Sequence, residues 1–219
     1  MSLWIKICAN TSLSDAQLAA EAGADAVGFV FAPSSRRVTA EQVSEIVPNL
    51  PTALEKIGVF VDAEFEEIAA TVKTAGLTGV QLHFGSAPEL PAQLRARFGV
   101  KLRILGVVHF DAAAGERAAA LASDTNLDAL LVDSRSAAAV GGTGQTYDWN
   151  VASKTVFQEA GRRKPIVAAG GLHPGNVTEA IATLRPWGVD VASGVETVPG
   201  RKDAAKIRAF IAAVRQSRV

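Results

Sequence analysis

Short apolar runs rich in Val, Ile, Leu and Phe alternate along this chain with longer stretches in which apolar positions recur at helical spacing. That alternation is the pattern of a parallel α/β fold, whose strands are covered on both faces and therefore read as continuous hydrophobic runs. Eight strand-like runs stand out: Leu3 to Cys8, Ala26 to Phe31, Lys56 to Val61, Gly79 to His83, Leu102 to Val108, Ala129 to Asp133, Ile166 to Gly170 and Val189 to Ser193. They recur every 20 to 40 residues or so, roughly the length of a strand, a helix and two loops. Ser14 with Gln17, Thr39 with Gln42 and Ser86 with Glu89 read as capping boxes, in which side chains satisfy the orphan amides of a helix start. Ile207, Phe210, Ile211 and Val214 form one apolar stripe suited to packing a last helix on the sheet. Ala22-Gly23 before Val27 and Ala75-Gly76 before Val80 resemble each other, as two helix ends running into strands would. No Ser/Pro/Gly-rich linker interrupts the series. The expected fold is a single-domain (β/α)8 TIM barrel over residues 1–219, with an open doubly wound sheet as the alternative.

Composition narrows the function classes. With 48% hydrophobic and 20% charged residues over 219 positions, the chain lies far from the disordered regime and has the material for a large core. Lys+Arg 22 against Asp+Glu 22 leaves a formal charge of +0, with no like-charge block to attract nucleic acid or an anionic membrane surface. Cys8 is the one cysteine, which excludes an internal disulfide and a cysteine-cluster zinc site and suits a reducing compartment. The histidines, His83, His109 and His173, show no metal-ligand spacing, so no metal is expected. Neither a secretory leader nor a membrane span is indicated, and the expected location is cytoplasmic.

In a barrel, chemistry sits where strands end and the following loops begin. The residues there are unusually polar: Cys8, Arg36 and Arg37, Asp62, His83, His109, Asp133, Gly170-Gly171 and Ser193-Gly194. Cys8 reads either as a small buried hydrophobe or as a thiolate base or nucleophile. Asp133 closes the apolar run Ala129 to Val132 and is either a loop cap or a partly desolvated general acid. Arg36 and Arg37 are either solvated or a fork for a carboxylate. Gly141 to Gly144, Gly170-Gly171 and Ser193-Gly194 serve either as turns or as a phosphate cradle built from backbone amides. Histidines at strand ends most often hydrogen-bond locally, and Trp149, Tyr147 and Trp187 read as packing aromatics.

Several of these stretches carry a family resemblance. KIC at Lys6 to Cys8, AGADAVGFVF at Ala22 to Phe31, SSRRV at Ser34 to Val38, GVFV at Gly58 to Val61 and VQLH at Val80 to His83 come first. LLVDS at Leu130 to Ser134, GGTGQTYDW at Gly141 to Trp149, AGGLHPGNV at Ala169 to Val177 and DVASGVETVPGRKD at Asp190 to Asp203 follow in order. Together they resemble the phosphoribosylanthranilate isomerases along nearly the whole chain. The resemblance implies a cofactor-free Amadori rearrangement of N-(5-phosphoribosyl)anthranilate to 1-(2-carboxyphenylamino)-1-deoxyribulose 5-phosphate in tryptophan biosynthesis. It implies Cys8 as general base and Asp133 as general acid. Arg37 is implied as the ligand of the anthranilate carboxylate, with His83 and Asp190 lining the substrate pocket. Gly142, Thr143, Gly144, Gly170, Gly171, Ser193 and Gly194 are implied as the phosphate site after strands 6–8. The partner is then a sugar phosphate carrying an anthranilate, and the protein a monomer or homodimer.

Three positions depart from the family pattern: Ala9 for a glycine, Phe84 for a glycine and Ala192 for a serine. If position 9 has positive φ, alanine strains the loop beside Cys8, and Asn10 is the residue expected to absorb the turn. Two other functions remain to be weighed: a different sugar-phosphate isomerase on the same fold, and a barrel that binds the ligand without turning it over.

Overall fold

The computed structural model describes residues 2–83, 88–134 and 146–217. Eight strands pair in parallel, each with its neighbour in sequence: β1 (Trp4–Ile7), β2 (Ala26–Val30), β3 (Glu55–Val61), β4 (Gly79–His83), β5 (Arg103–His109), β6 (Ala129–Asp133), β7 (Ile166–Ala168) and β8 (Gly188–Val191). β8 returns to β1, with Lys6 opposite Asp190, so the sheet closes into the expected (β/α)8 barrel and the open-sheet alternative falls. Outside the strands lie α1 (Leu13–Glu21), α2 (Ala40–Ile46), α3 (Phe65–Ala75), α4 (Leu90–Phe98), α5 (Ala114–Ala122), α6 (Trp149–Ala152), α7 (Gln158–Ala160), α8 (Val177–Leu184) and α9 (Ala204–Gln216). A π-helical stretch, Ser153–Phe157, joins α6 to α7. Among the described residues no helix is long and apolar enough to cross a membrane.

Strand alternation sorts the apolar residues into two separate cores. Ile5, Ile7, Val27, Phe29, Leu130 and Val132 pack outward against the helices, where they meet the predicted α9 stripe of Ile207, Phe210, Ile211 and Val214. The intervening positions Trp4, Ala26, Ile57, Leu105, Val107, Ala129, Leu131 and Val167 fill the inside of the barrel. Trp4 stacks on Trp187 with ring centroids 5.3 Å apart, and the Arg103 guanidinium lies 5.7 Å from the Trp187 ring while forking onto Glu55 at 2.6 and 2.9 Å. These four side chains close the N-terminal end of the barrel. A ligand must therefore enter from the other end.

Several local expectations shift for identifiable reasons. β7 stops at Ala168 because Gly170 and Gly171 adopt φ 81 and 66, a left-handed backbone no strand contains. β8 stops at Val191 because Ala192 leaves the extended region and Ser193–Val195 forms a 3-10 turn. α1 is capped by Ser12, not Ser14: Ser12 Oγ accepts from the Asp15 amide at 3.2 Å. The box of Thr39 and Gln42 forms as expected, and that of Ser86 and Glu89 involves positions outside the described residues. An unforeseen hairpin, β9 (Glu196–Val198) with β10 (Arg201–Lys202), turns at Pro199-Gly200, a dipeptide that signals such a turn.

The loop after β1 resolves the question of position 9. Ala9 itself holds the left-handed conformation, φ 61, and Asn10 does not absorb the turn. Asn10 is instead wholly buried, its amide nitrogen donating to the Ile7 and Gly28 carbonyls at 2.8 and 3.2 Å, which ties the loop to β1 and β2 and over-determines the strained alanine. Left-handed backbone costs an L-residue about 1–2 kcal/mol, and the extra freedom of glycine in the unfolded chain takes back about 0.5–1. Ala9→Gly is accordingly expected to raise the unfolding free energy by about 0.5–1 kcal/mol, read as a higher urea midpoint at unchanged m-value.

Candidate active site

The C-terminal rim of the barrel collects buried polar groups from most of its strands. Cys8, just past β1, extends the ladder by donating its amide to the Val191 carbonyl at 2.8 Å, and its side chain is buried. Asp133 ends β6, buried and in register with His109 of β5. Asp190 lies one residue inside the end of β8, and its Oδ1 accepts from Lys6 Nζ at 2.9 Å. Lys6 is completely buried inside the barrel and also donates to Gln81 Oε1 at 2.8 Å. Gly28 makes this centre possible, since a Cβ there would stand 2.7 Å from Cys8 Sγ and 3.0 Å from Lys6 Cε. The Cys8 thiol and the end of the Lys6 stem thus crowd one point on β2.

Arg36 and Arg37 part company. Arg37 is exposed, whereas Arg36 is buried and forks onto Glu196, its Nε 2.9 and 3.1 Å from the two carboxylate oxygens and its Nη2 at 2.7 Å. Glu196 also takes Lys202 Nζ at 3.1 Å. Arg36 is thus already matched by a carboxylate of the protein, whereas Arg37 is exposed in the loop after β2.

Charge and burial act on these groups together. Burial pushes the Cys8 thiol up, and Asp190 adds to that, while Lys6, by charge and as a donor, and Lys202, by charge, pull it down; the balance is upward. Burial works against the Lys6 ammonium, but Asp190 and Cys8 outweigh it and its pKa is raised. Burial likewise disfavours the Glu196 carboxylate, and Arg36 and Lys202 overcome it, leaving Glu196 below the usual range. Lys202 is lowered, chiefly by burial.

The histidines form the local hydrogen bonds expected of strand-end histidines. Gln81 Nε2 lies 3.2 Å from His83 Nε2, and His83 Nδ1 lies 3.3 Å from His109 Nε2. An ammonium has donors only, so Gln81 must turn its oxygen to Lys6 and its NH2 to His83. His83 Nε2 therefore accepts, His83 Nδ1–H donates, and the His109 proton sits on Nδ1, which has no hydrogen-bond partner among the described residues. One buried cation sets the direction of a chain running from β1 through β4 to β5.

The glycine stretches are partly placed. Gly170 and Gly171 follow β7 at the rim, and among the described residues their amides donate to no other group. Asn176 Nδ2 donates to the Gly171 carbonyl at 3.0 Å and its Oδ1 accepts from the His173 amide at 2.8 Å, bracing the turn. Ser193 and Gly194 open the 3-10 turn after β8. Gly142, Thr143 and Gly144 lie outside the described residues, as does Phe84.

Sequence reasoning passed over Lys6, Gln81, Glu196 and Lys202. For Lys6 the signal was present: in Trp4-Ile5-Lys6-Ile7-Cys8 the period of two puts the lysine on the same face as Cys8, in a strand too apolar to have a solvent side. Glu196 and Lys202 gave none, because their meeting depends on the hairpin.

Comparison with known proteins covers nearly the whole chain. The chain matches the family model described as N-(5'phosphoribosyl)anthranilate (PRA) isomerase over residues 5–213. It is 41% identical over 215 residues to the N-(5'-phosphoribosyl)anthranilate isomerase of Pelobacter propionicus, covering 98% of this chain and 96% of that one. The Geobacter sp. (strain M21) protein of the same name is 42% identical over 213 residues, covering 97% and 98%. Among solved structures, the phosphoribosyl anthranilate isomerase of Thermotoga maritima superposes with a TM-score of 0.85 at 36% identity, covering 97% of this chain and 98% of that one. A phosphoribosyl anthranilate isomerase in complex with reduced 1-(o-carboxyphenylamino)-1-deoxyribulose 5-phosphate superposes at 0.80 with 34% identity, again covering 97% and 98%.

The direction of the hydrogen-bond chain is open to a direct test. Long-range nitrogen–proton correlation spectra of the free protein should show His83 and His109 as Nδ1–H tautomers, and Gln81→Leu should abolish that preference at His83; an Nε2–H proton on His83 in the parent would contradict the assigned direction.

Proposed function

The chain belongs to the N-(5'-phosphoribosyl)anthranilate isomerase family of tryptophan biosynthesis, and on that footing we propose that Cys8 and Asp133 divide the proton transfers of the rearrangement between them. Asp133 protonates the ring oxygen of the ribose and opens the furanose; Cys8 removes the proton from C2; the resulting enolamine becomes the ketone. An aldose-to-ketose shift needs one acid and one base held on either side of a sugar, and positioning them supplies much of the rate. The observation that carries this reading is the placement of the two groups. Both are buried at the C-terminal ends of non-adjacent strands, β1 and β6, on the open side of a barrel whose other end is plugged.

The remaining roles follow the layout of the rim. The unengaged amides of Gly170 and Gly171, with the Ser193–Gly194 turn and the stretch from Gly142 through Thr143 to Gly144, take the phosphate of the substrate. Arg37, exposed in the loop after β2, takes the anthranilate carboxylate, while Arg36 is already committed to Glu196. His83 and Asp190 line the pocket between. A biosynthetic isomerase with a single buried thiol suits the reducing cytoplasm.

Turnover is measured by generating the phosphoribosylanthranilate in place and following the loss of its anthranilate fluorescence. Cys8→Ala and Asp133→Asn should each lower kcat by roughly a hundredfold or more with the fold intact, and a variant retaining more than about a third of the activity would remove that residue from its role. A parent protein that binds the reduced product analogue yet shows no loss above the spontaneous rate would favour the silent-binder reading. Arg37→Ala removes a contact to a group that does not react, so it should raise KM by about tenfold with kcat little changed. An unchanged KM would point to Arg36 instead.

A further inference from the structure

Around Cys8 lie more buried charges than the two proton-transfer roles require. Lys6, Arg36 and Lys202 come from β1, from the loop after β2 and from β10, and Asp190 and Glu196 from β8 and β9. All five side chains are at most 9% exposed. Among the described residues Asp190 pairs with Lys6, and Glu196 with both Arg36 and Lys202. Of the other buried carboxylates, Asp133 ends β6 and Asp15 accepts from the backbone amide of Lys202 at 3.4 Å.

We propose that Lys6 is a positioning residue of this site, whose buried ammonium, clamped between Asp190 and Gln81 and packed beside Cys8 over Gly28, is the counter-charge that lets Cys8 stand as a thiolate. The proposal rests on Cys8 being the base. Two geometric facts support it, and the electrostatics of the pair agree. Lys6 has no alternative position, because its ammonium is completely buried and held by two acceptors, at 2.9 and 2.8 Å. Gly28 leaves no side chain between ammonium and thiol. Asp190, paired with the same ammonium, opposes a thiolate at Cys8, so the pair sets a balance in which each member moves the thiol in the opposite sense. β4, β5 and β6 contribute His83, His109 and Asp133, the histidines linked to Lys6 through Gln81 and Asp133 in register with His109.

Since Cys8 is the one cysteine, alkylation of the ligand-free protein by iodoacetamide, followed by mass spectrometry, reads this thiol alone, and at fixed pH its rate tracks the thiolate fraction. Lys6→Met should slow alkylation at about pH 8 by about tenfold or more, and Asp190→Asn should speed it by a similar factor. A merely structural role for Lys6 would not give opposite shifts, because both substitutions break the same ion pair. Slowing in the first variant with quickening in the second supports the proposal, and any other combination overturns it. If Lys6→Met does not fold, having left Asp190 buried without its partner, Asp190→Asn decides alone: faster alkylation supports, unchanged or slower alkylation overturns. The measurement uses no substrate. Failure of the base assignment, seen as turnover surviving Cys8→Ala, is therefore distinct from failure here.

Discussion

A lysine ammonium inside a β-barrel is the constraint to which the rest of this molecule is fitted. Taking such a charge out of water is tolerated only if acceptors surround it, and here they come from a neighbouring and a non-adjacent strand: Asp190 from β8 and Gln81 from β4. The same contacts fix the closing register of the barrel, because Lys6 and Asp190 are opposite one another where β8 meets β1. Through Gln81 the ammonium also dictates which nitrogen of His83 accepts, and hence where the proton of His109 lies. One cation thus couples closure, register and the polarity of the mouth.

The two ends of the barrel use their charges differently. At the N-terminal end Arg103 and Glu55 pair with each other and with stacked tryptophans, making a plug with no group left to act. At the C-terminal end buried charges of both signs stand around the Cys8 thiol and the Asp133 carboxyl. Glu196 on the hairpin holds Arg36 and Lys202 in place, which keeps positive charge at the mouth of a protein whose formal net charge is +0. An anionic sugar phosphate is met by local geometry and not by the overall field.

The backbone of the rim departs from regular structure wherever a ligand is expected. Ala9, Gly170 and Gly171 have positive φ, and Ala192 leaves the extended region to start a 3-10 turn. At β7 and β8 the departure ends the strand before its apolar run does. At Ala9 the conformation persists without glycine because Asn10 pins the loop to two carbonyls, so the strain is borne by tertiary contacts.

What could be read from the residues alone was whatever depends on neighbours in sequence. The eight apolar runs, the stripe of Ile207, Phe210, Ile211 and Val214, and the polar residues at the strand ends are local patterns, and each found its place. The boundaries of β7 and β8 were misplaced because backbone dihedrals at Gly170 and Ala192 override the apolar run. Which arginine turns inward, and which carboxylate meets which cation, had no local signal. Lys6 and Asp190 are 184 positions apart and Arg36 and Glu196 160, and such pairs exist only once the last strand has closed on the first and set the register between them.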